Sequence, residues 1–194
     1  MSTRRMEHPK STWLLALAVL LGCALMPASA SAGITCAGNS APNLVKNGGF
    51  ETGNLTDWSV GWAGDEDLLV ADGGYKGSYS LAIGSEDSVN SVYQNLSTTP
   101  GSVYTVCFWL QNGASSGLSS FEALWDDQPL VLLVNGASTD GKFQYFAATV
   151  VALGSDELRL QARNLQSYWH VDNVAVQLCT SCTLSPARNV RKQQ

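Results

Sequence analysis

Basic residues are scarce in this sequence, and histidine is scarcer still. The chain carries 11 lysines and arginines against 16 aspartates and glutamates, which gives a net charge of −5. Six of the basic residues lie before Ser11 or within the last seven positions, so the body of the chain is more acidic than the whole. Because an acidic body repels phosphate backbones, nucleic acid is excluded as a partner, and cations, neutral sugars or basic proteins are favoured.

Common catalytic motifs are missing as well. The sequence has no phosphate-binding loop or haem motif, and His170 is the one histidine outside the N-terminal region. Glu122, Asp126 and Asp127 are acidic neighbours, and glycosidases do use two carboxylates. Asp126 and Asp127, however, are typical of a solvated turn after a strand. The sequence therefore favours a protein that binds over an enzyme.

A long apolar run occurs only near the N terminus. Residues 1–10 are basic, residues 11–26 are almost wholly apolar, and residues 28–32 are small. These are the three parts of a secretory signal peptide, and the apolar run is too short to span a bilayer stably. We expect residues 1–32 to be cleaved and the mature protein to be secreted, extracellular or periplasmic, with no transmembrane anchor. Since Cys23 ends a weak lipobox, a lipoprotein is the alternative.

Cysteine usage agrees with export. Beyond the leader the cysteines are even in number, and an oxidising compartment favours disulfides between them: Cys36, Cys107, Cys179 and Cys182. The pair at 179 and 182 has no second C-x-x-C to complete a zinc site. Three pairings are open. We prefer a bond from Cys36 to Cys179 or Cys182, because the chain ends of one domain often lie close together.

Sustained helical periodicity is absent after Gly33. Short apolar or alternating runs are instead divided by Gly, Asn, Asp and Ser turns, which predicts about ten strands and an all-β sandwich or barrel. The predicted strands are residues 58–60, 68–71, 80–83, 91–96, 103–110, 120–125, 130–134, 143–151, 157–163 and 169–179. Residues 33–182 form the predicted domain. Residues 183–194 are polar and basic and are expected to be a disordered tail.

Two predicted strands indicate which side is buried. In residues 157–163, Leu158, Leu160 and Ala162 alternate with polar side chains, so this strand has one buried face. In residues 103–110, apolar side chains fall on both faces, which predicts that this strand is covered on both sides.

Several longer strings carry a family resemblance. They are NLVKNGGFETGNLTDW at 43–58, GSYSL at 77–81, TPGSVYT at 99–105, FWL at 108–110 and WHVDNVAV at 169–176. This ordered set resembles the galactose-binding-domain-like jelly rolls. It is similar to small exported bacterial proteins of the PEP-CTERM type and, more distantly, to the carbohydrate-binding modules of bacterial glycanases. The resemblance implies a single jelly-roll β-sandwich of about ten antiparallel strands. The chain has no Pro-Glu-Pro motif, so simple secretion is expected rather than PEP-CTERM sorting.

The resemblance also implies one structural Ca²⁺, held by Glu51 and Asp172. Asp172 lies two and four residues before Val174 and Val176, so in a regular strand it points to the same side as they do. We therefore expect it to face inward, where burying an unpaired charge is energetically unfavourable. Calcium takes six to eight oxygens, and two carboxylates with backbone carbonyls suit it. The alternative is that Glu51 accepts hydrogen bonds from local backbone amides and that Asp172 pairs with an arginine of residues 157–163.

Aromatic residues beside polar turns form the predicted ligand site. Sugar rings present apolar faces, so exposed aromatic rings with nearby polar groups often bind them. The predicted ligand residues are Trp125, Tyr168, Trp169, Asn112 and Asp126. The predicted function is a secreted, non-catalytic module for a glycan or extracellular matrix polysaccharide. The alternatives are a structural or surface-interaction protein with no small-ligand site, and a glycan-active enzyme using Glu122 with Asp126 or Asp127.

Overall fold

The computed structural model describes Cys36 and residues 39–62, 68–113, 118–135, 139–165 and 167–180. The predicted signal peptide, the lipobox cysteine, Cys182 and the predicted tail lie outside these ranges. Within the described ranges, no helix has the length and apolar character that a membrane crossing needs.

The described chain is a sandwich of two five-stranded sheets with antiparallel pairing. Sheet 1 has the order β1-β4-β9-β6-β7, and sheet 2 has the order β2-β3-β10-β5-β8. The strands are β1 (Ser59–Trp62), β2 (Leu68–Asp72), β3 (Tyr79–Ile83), β4 (Asn90–Ser97), β5 (Val103–Asn112), β6 (Ser119–Trp125), β7 (Gln128–Val134), β8 (Gln144–Val151), β9 (Ser155–Asn164) and β10 (Trp169–Leu178). The prediction of an all-β jelly-roll sandwich is confirmed.

The hydrophobic core lies between the sheets and follows the alternation of the strands. On β9, Leu158, Leu160 and Ala162 are fully buried, while the residues between them point outward, as predicted. β5 is covered on both sides, also as predicted: Phe108 faces the core, and Cys107 on the opposite side is only 2% exposed. The cover on that outer side comes from residues that precede β1 and from the loop between β2 and β3.

The segment 43–48 extends sheet 2 alongside the second half of β10. The amide of Leu44 donates to the Val176 carbonyl at 2.9 Å, and the amide of Val174 donates to the Gly48 carbonyl at 2.8 Å. A side chain at Gly48 would collide with the Val174 carbonyl, so this approach requires glycine. The opening and closing strings of the resemblance are therefore neighbours in space.

A buried glutamine ties this segment to sheet 1. Gln94 of β4 is 6% exposed and shares the inward side of the strand with Val92 and Leu96. Its Oε1 accepts from the Lys46 amide at 3.1 Å, and its Nε2 donates to the Lys46 carbonyl at 2.7 Å. The side-chain amide of Gln94 thus forms hydrogen bonds with the backbone N–H and C=O of Lys46, which have no strand partner on that side.

A β-bulge in β10 reverses the predicted direction of Asp172. The pairing with β5 shifts between Asp172 and Ala175, and Asn173 has a φ of 52°. Asp172 is opposite Trp109 on the outer side of sheet 2, while Val174 returns to the core. Asp172 is fully buried as expected, but the prediction that it faces the core is wrong. Parity holds only along an unbroken pleat, and a bulge inserts one extra residue.

The disulfide joins Cys36 to Cys107, so the preferred pairing of Cys36 with Cys179 or Cys182 is wrong. Cys36 lies over the outer side of sheet 2, where its amide donates to the Tyr145 hydroxyl at 2.9 Å. Its Cα lies 6.1 Å from that of Cys107, on the outer side of β5. Cys179 is also disulfide-bonded.

The carboxylate of Asp156 anchors the loop between β8 and β9, and removing it should destabilise the fold. It is 1% exposed and accepts hydrogen bonds from Trp125 Nε1 at 3.2 Å, the Leu153 amide at 2.9 Å and the Thr98 hydroxyl. We predict that Asp156→Ala lowers the free energy of unfolding by about 2–4 kcal/mol, because buried donors lose their acceptor. Urea denaturation measures this. The exposed Asp87→Ala is the control, and equal stability of the two variants would contradict the prediction.

Candidate functional site

The predicted ligand residues do not form one site. Trp125 and Trp169 are 5% and 1% exposed and belong to the hydrophobic core, and Asn112 is fully buried. Because these three side chains are buried, they have no surface that a ligand could contact. The expectation that they line a ligand site is therefore wrong. Tyr168 is half-buried near the start of β10. Asp126 lies in the β6–β7 turn, where its Oδ1 accepts from the Glu157 amide at 2.7 Å.

The outer face of sheet 1 carries a continuous row of polar side chains. We call it the polar strip: Tyr93 of β4, Glu157, Arg159 and Gln161 of β9, and Glu122 of β6. Antiparallel pairing places Tyr93 opposite Arg159 and Gln161 opposite Glu122. All five side chains are half-buried although they point away from the core.

Arg159 is the centre of the polar strip. Its Nη2 lies 2.7 Å from Glu157 Oε1, and its guanidinium carbon lies 4.8 Å from the centre of the Tyr93 ring. Its Nη1 donates to Ser91 Oγ at 3.4 Å. A Cβ on Gly61 of β1 would stand 2.6 Å from that nitrogen, so glycine leaves the room that the guanidinium occupies. Charge pairing and cation–π contact fix the group in one orientation.

The strip continues across β9 to β6. Gln161 Nε2 donates to Glu122 Oε2 at 2.8 Å. Glu122 thus accepts from the side-chain amide of Gln161, and Asp126 accepts from the backbone amide of Glu157. Two of the three carboxylates considered for glycosidase chemistry therefore have a structural partner. The strip as a whole presents guanidinium and amide donors beside carboxylate acceptors, already held in place.

This arrangement suits a ligand rich in hydroxyl groups. Sugar hydroxyls donate and accept, and a half-buried row of fixed donors and acceptors meets both needs at low cost in side-chain entropy. The guanidinium lies over one face of the Tyr93 ring, so that face is not open for stacking. The polar strip would therefore recognise a ligand chiefly through hydrogen bonds.

Sequence reasoning missed the polar strip, although part of its signal was present. The alternation in residues 157–163 already placed Arg159 and Gln161 opposite the buried leucines. What the sequence did not contain was the pairing of β9 with β4 and β6, which brings Tyr93 and Glu122 beside them.

Glu51 and Asp172, the predicted calcium ligands, hold the loop at residues 73–78 from two sides. Glu51 accepts from the Ser78 and Tyr79 amides at 3.0 Å, and these bonds lower the pKa of its carboxyl. Asp172 accepts from the Lys76 amide at 2.9 Å. Burial raises the pKa of Asp172, and backbone hydrogen bonds partly oppose the rise. The alternative for Glu51, hydrogen bonding to backbone amides, is thus what the structure shows.

The Glu51 and Asp172 side chains both border Gly49, and the charge of Glu51 adds to the rise in the pKa of Asp172. A Cβ on Gly49 would stand 3.6 Å from Glu51 Cγ and 3.8 Å from Asp172 Oδ1. The alternative pairing of Asp172 with an arginine of β9 is wrong, because those arginines point outward from the other sheet. In the described part of the chain, no three His, Cys, Asp or Glu side chains form a group that could hold a metal ion.

His170 contacts a serine that substrate cannot reach. Its Nδ1 lies 3.2 Å from Ser80 Oγ, and Ser80 is fully buried with its hydroxyl bonded to the Gly73 carbonyl. Burial lowers the pKa of His170. The pair stabilises the start of the 73–78 loop rather than presenting a nucleophile.

Comparison with known proteins adds evidence on the fold. No family model matches the sequence, and neither does any curated protein. Among solved structures, the chain is similar to TmCBM61 in complex with β-1,4-galactotriose, with 19% identity and a TM-score of 0.52 over 71% of this chain and 99% of that one. It is also similar to the CBM22-1 xylan-binding domain from Paenibacillus barcinonensis, with 16% identity and a TM-score of 0.52 over 75% and 100% of the two chains.

The tandem of two such domains from the same Paenibacillus protein gives a TM-score of 0.56 at 16% identity over 76% of this chain. The match spans about half, 49%, of the tandem. At this level of identity the comparisons show a shared fold, the β-sandwich of carbohydrate-binding modules. They do not by themselves assign a ligand.

The environment of Asp126 predicts a dependence of stability on pH. Burial raises the pKa of its carboxyl, against the Glu157 amide bond that lowers it, and the nearby Asp156 raises it further. The fold therefore favours the protonated form, so this contribution to stability is present at low pH and is lost as pH rises through the raised pKa. Asp126→Asn cannot ionise and keeps an acceptor for the Glu157 amide.

We predict that Asp126→Asn is more stable than the unaltered protein at neutral pH, by less than about 1 kcal/mol because the group is partly exposed to solvent. The difference should disappear at about pH 3, where the carboxyl is protonated in both states. Urea unfolding at the two pH values measures it. A difference in the free energy of unfolding that does not change with pH would contradict a raised pKa of Asp126.

Proposed function

We propose that the protein is a secreted, non-catalytic module that binds a neutral glycan or matrix polysaccharide through the polar strip. The observation that carries this proposal is the half-buried Arg159 group, fixed over Tyr93 and between Glu157 and Ser91. A surface of fixed donors and acceptors on an outward sheet face is suited to hydroxyl-rich ligands.

The similar structures support this choice of ligand class. Two of them are named for β-1,4-galactotriose and for xylan, so oligosaccharides of those two kinds are the first ligands to test. The acidic body supports a neutral glycan over a polyanionic one, since like charges repel.

Secretion is supported by two independent features. The N-terminal sequence has the three parts of a signal peptide, and the Cys36–Cys107 disulfide requires an oxidising compartment to persist. Lipidation at Cys23 and kinship with PEP-CTERM-type proteins remain predictions.

Removing the Arg159 guanidinium should weaken binding at the polar strip. A hydrogen bond to a charged group is worth about 1.5–3 kcal/mol, so Arg159→Ala should weaken binding of galacto- or xylo-oligosaccharides at least about tenfold. Isothermal titration calorimetry gives the dissociation constants. The matched control is Arg163→Ala on the same strand, whose guanidinium donates to the Glu86 carbonyl at 2.8 Å, outside the strip.

The control should bind within about twofold of the unaltered protein. Equal affinities for Arg159→Ala and the unaltered protein would contradict the placement of the glycan on the polar strip. Hydrolysis of the oligosaccharide during titration would instead favour the enzyme alternative that uses Glu122.

Calcium between Glu51 and Asp172 is a second part of the proposal. Asp172 is a fully buried carboxylate whose partners are backbone amides, and Glu51 lies beside it near Gly49. The pair fits a hard cation, which would supply the charge compensation that burial demands, with backbone carbonyls completing the shell. Its role would be structural: to hold the loop at residues 73–78 in place.

A thermal melt tests this part. We predict that EDTA lowers the melting temperature and that Ca²⁺ restores it, because a ligand of the folded state stabilises by about 2.7 kcal/mol at a hundred times its dissociation constant. Asp172→Asn should melt at a temperature independent of Ca²⁺, and Mg²⁺ is the control ion. If EDTA and added Ca²⁺ leave the unaltered protein unchanged, the carboxylates act on the backbone amides alone.

A further inference from the structure

Four aromatic rings cluster on the outer side of sheet 2, the side of the sandwich opposite the polar strip. We call them the aromatic surface: Tyr75, Trp109, Phe143 and Tyr145. Tyr75 stacks on Trp109 with ring centres 3.6 Å apart and planes within 13°. Tyr145 lies 5.2 Å from Trp109, and Phe143 meets Tyr75 edge-on at 6.1 Å. The rings form one connected cluster around Trp109.

The hydrophobic core does not account for this cluster. None of the four residues belongs to the buried core, and Tyr75 and Tyr145 are 45% and 37% exposed. A contiguous exposed aromatic group on a secreted domain is a marker of a binding surface. Trp109 stacks on one face of Tyr75, and 45% of Tyr75 is nevertheless exposed to solvent.

Backbone contacts hold the aromatic surface rigid. The loop that carries Tyr75 is fixed by Asp172, which accepts from the Lys76 amide, and by Glu51, which accepts from the Ser78 amide. Tyr145 accepts from the amide of Cys36, which is covalently tied to β5 by the disulfide. A ligand would therefore meet rings that are already ordered, which reduces the entropic cost of binding.

The charges around the rings favour an uncharged ligand. Lys76 follows Tyr75 in the chain, and Lys142 precedes Phe143. Asp72 comes directly before the loop at residues 73–78, and Glu51 accepts from its Ser78 amide. All four residues are exposed. A polyanion gains no net attraction from such a mixed rim. A neutral sugar gains donors and acceptors for its hydroxyls, together with flat rings for its C–H face.

We propose that the aromatic surface is a second glycan-binding site, which stacks the apolar face of a neutral sugar ring against Tyr75. This goes beyond the proposed function, because the polar strip lies on the other sheet and recognises its ligand by hydrogen bonds. With sites on opposite faces, one molecule bridges two polysaccharide chains, and multivalent attachment raises overall avidity.

Calorimetry with β-1,4-galacto- and xylo-oligosaccharides tests the second site by its stoichiometry. The unaltered protein should bind two equivalents, and Tyr75→Ala should bind one. Tyr75→Phe keeps the ring and should bind two. Arg159→Ala should bind one, at the aromatic surface. Soluble galactan or xylan should become turbid with the unaltered protein and stay clear with either alanine variant, since bridging needs both sites.

The outcomes separate this proposal from the proposed function. If Tyr75→Ala binds and clouds polysaccharide like the unaltered protein, the second site is overturned while the polar strip stands. If Arg159→Ala is unchanged and Tyr75→Ala loses all binding, the polar strip fails and the aromatic surface stands. If the unaltered protein binds neither oligosaccharide, both are overturned.

Two further measurements guard the result. Thermal melts establish that Tyr75→Ala is folded. Phe143→Ala removes a ring that contacts Tyr75 but does not belong to the loop at residues 73–78, and it should give the same loss of one binding equivalent. Sedimentation velocity asks whether the rings instead bind a second copy of this chain. A concentration-dependent dimer that disappears in Tyr75→Ala, with unchanged sugar stoichiometry, would overturn the glycan assignment.

Discussion

The bulge in β10 at Asp172 is the constraint on which the rest of the structure depends. It turns one carboxylate to the outer side of sheet 2 while Val174 and Val176 return to the core. Past the bulge, β10 pairs with residues 43–48, which Gln94 in turn ties to sheet 1. On the outer side, Asp172 and Glu51 hold the loop that carries Tyr75. Through these contacts the bulge in β10 connects the N-terminal segment, both sheets and the exposed loop at residues 73–78.

The two outward faces of the sandwich differ in chemistry. Sheet 1 presents charged and amide groups that satisfy one another around Arg159, and sheet 2 presents stacked rings around Trp109. Both sets of side chains are held by contacts within the domain, so neither has to be ordered by a ligand.

The sequence was sufficient for the fold and insufficient for the site. Local alternation and turn residues predicted ten strands and the buried face of β9. The family resemblance predicted that Glu51 and Asp172 lie in the same part of the fold, and both side chains border Gly49. Parity counting failed at Asp172, since nothing local marks a bulge. Trp125 and Trp169 lie beside polar turns and yet are buried, because position near a strand end does not fix which side a ring takes. The polar strip depends on pairing between distant strands, which one sequence does not contain.

The most direct test of the central claim is to map amide chemical shifts by NMR while the protein is titrated with a galacto- or xylo-oligosaccharide. The account predicts that one set of shifts concentrates on β4, β9 and β6 around Tyr93, Arg159 and Gln161, separate from the set that the aromatic surface contributes around Tyr75 and Trp109. Shifts confined to the loops at the ends of the sandwich, or absent from sheet 1 at saturating sugar, would contradict it.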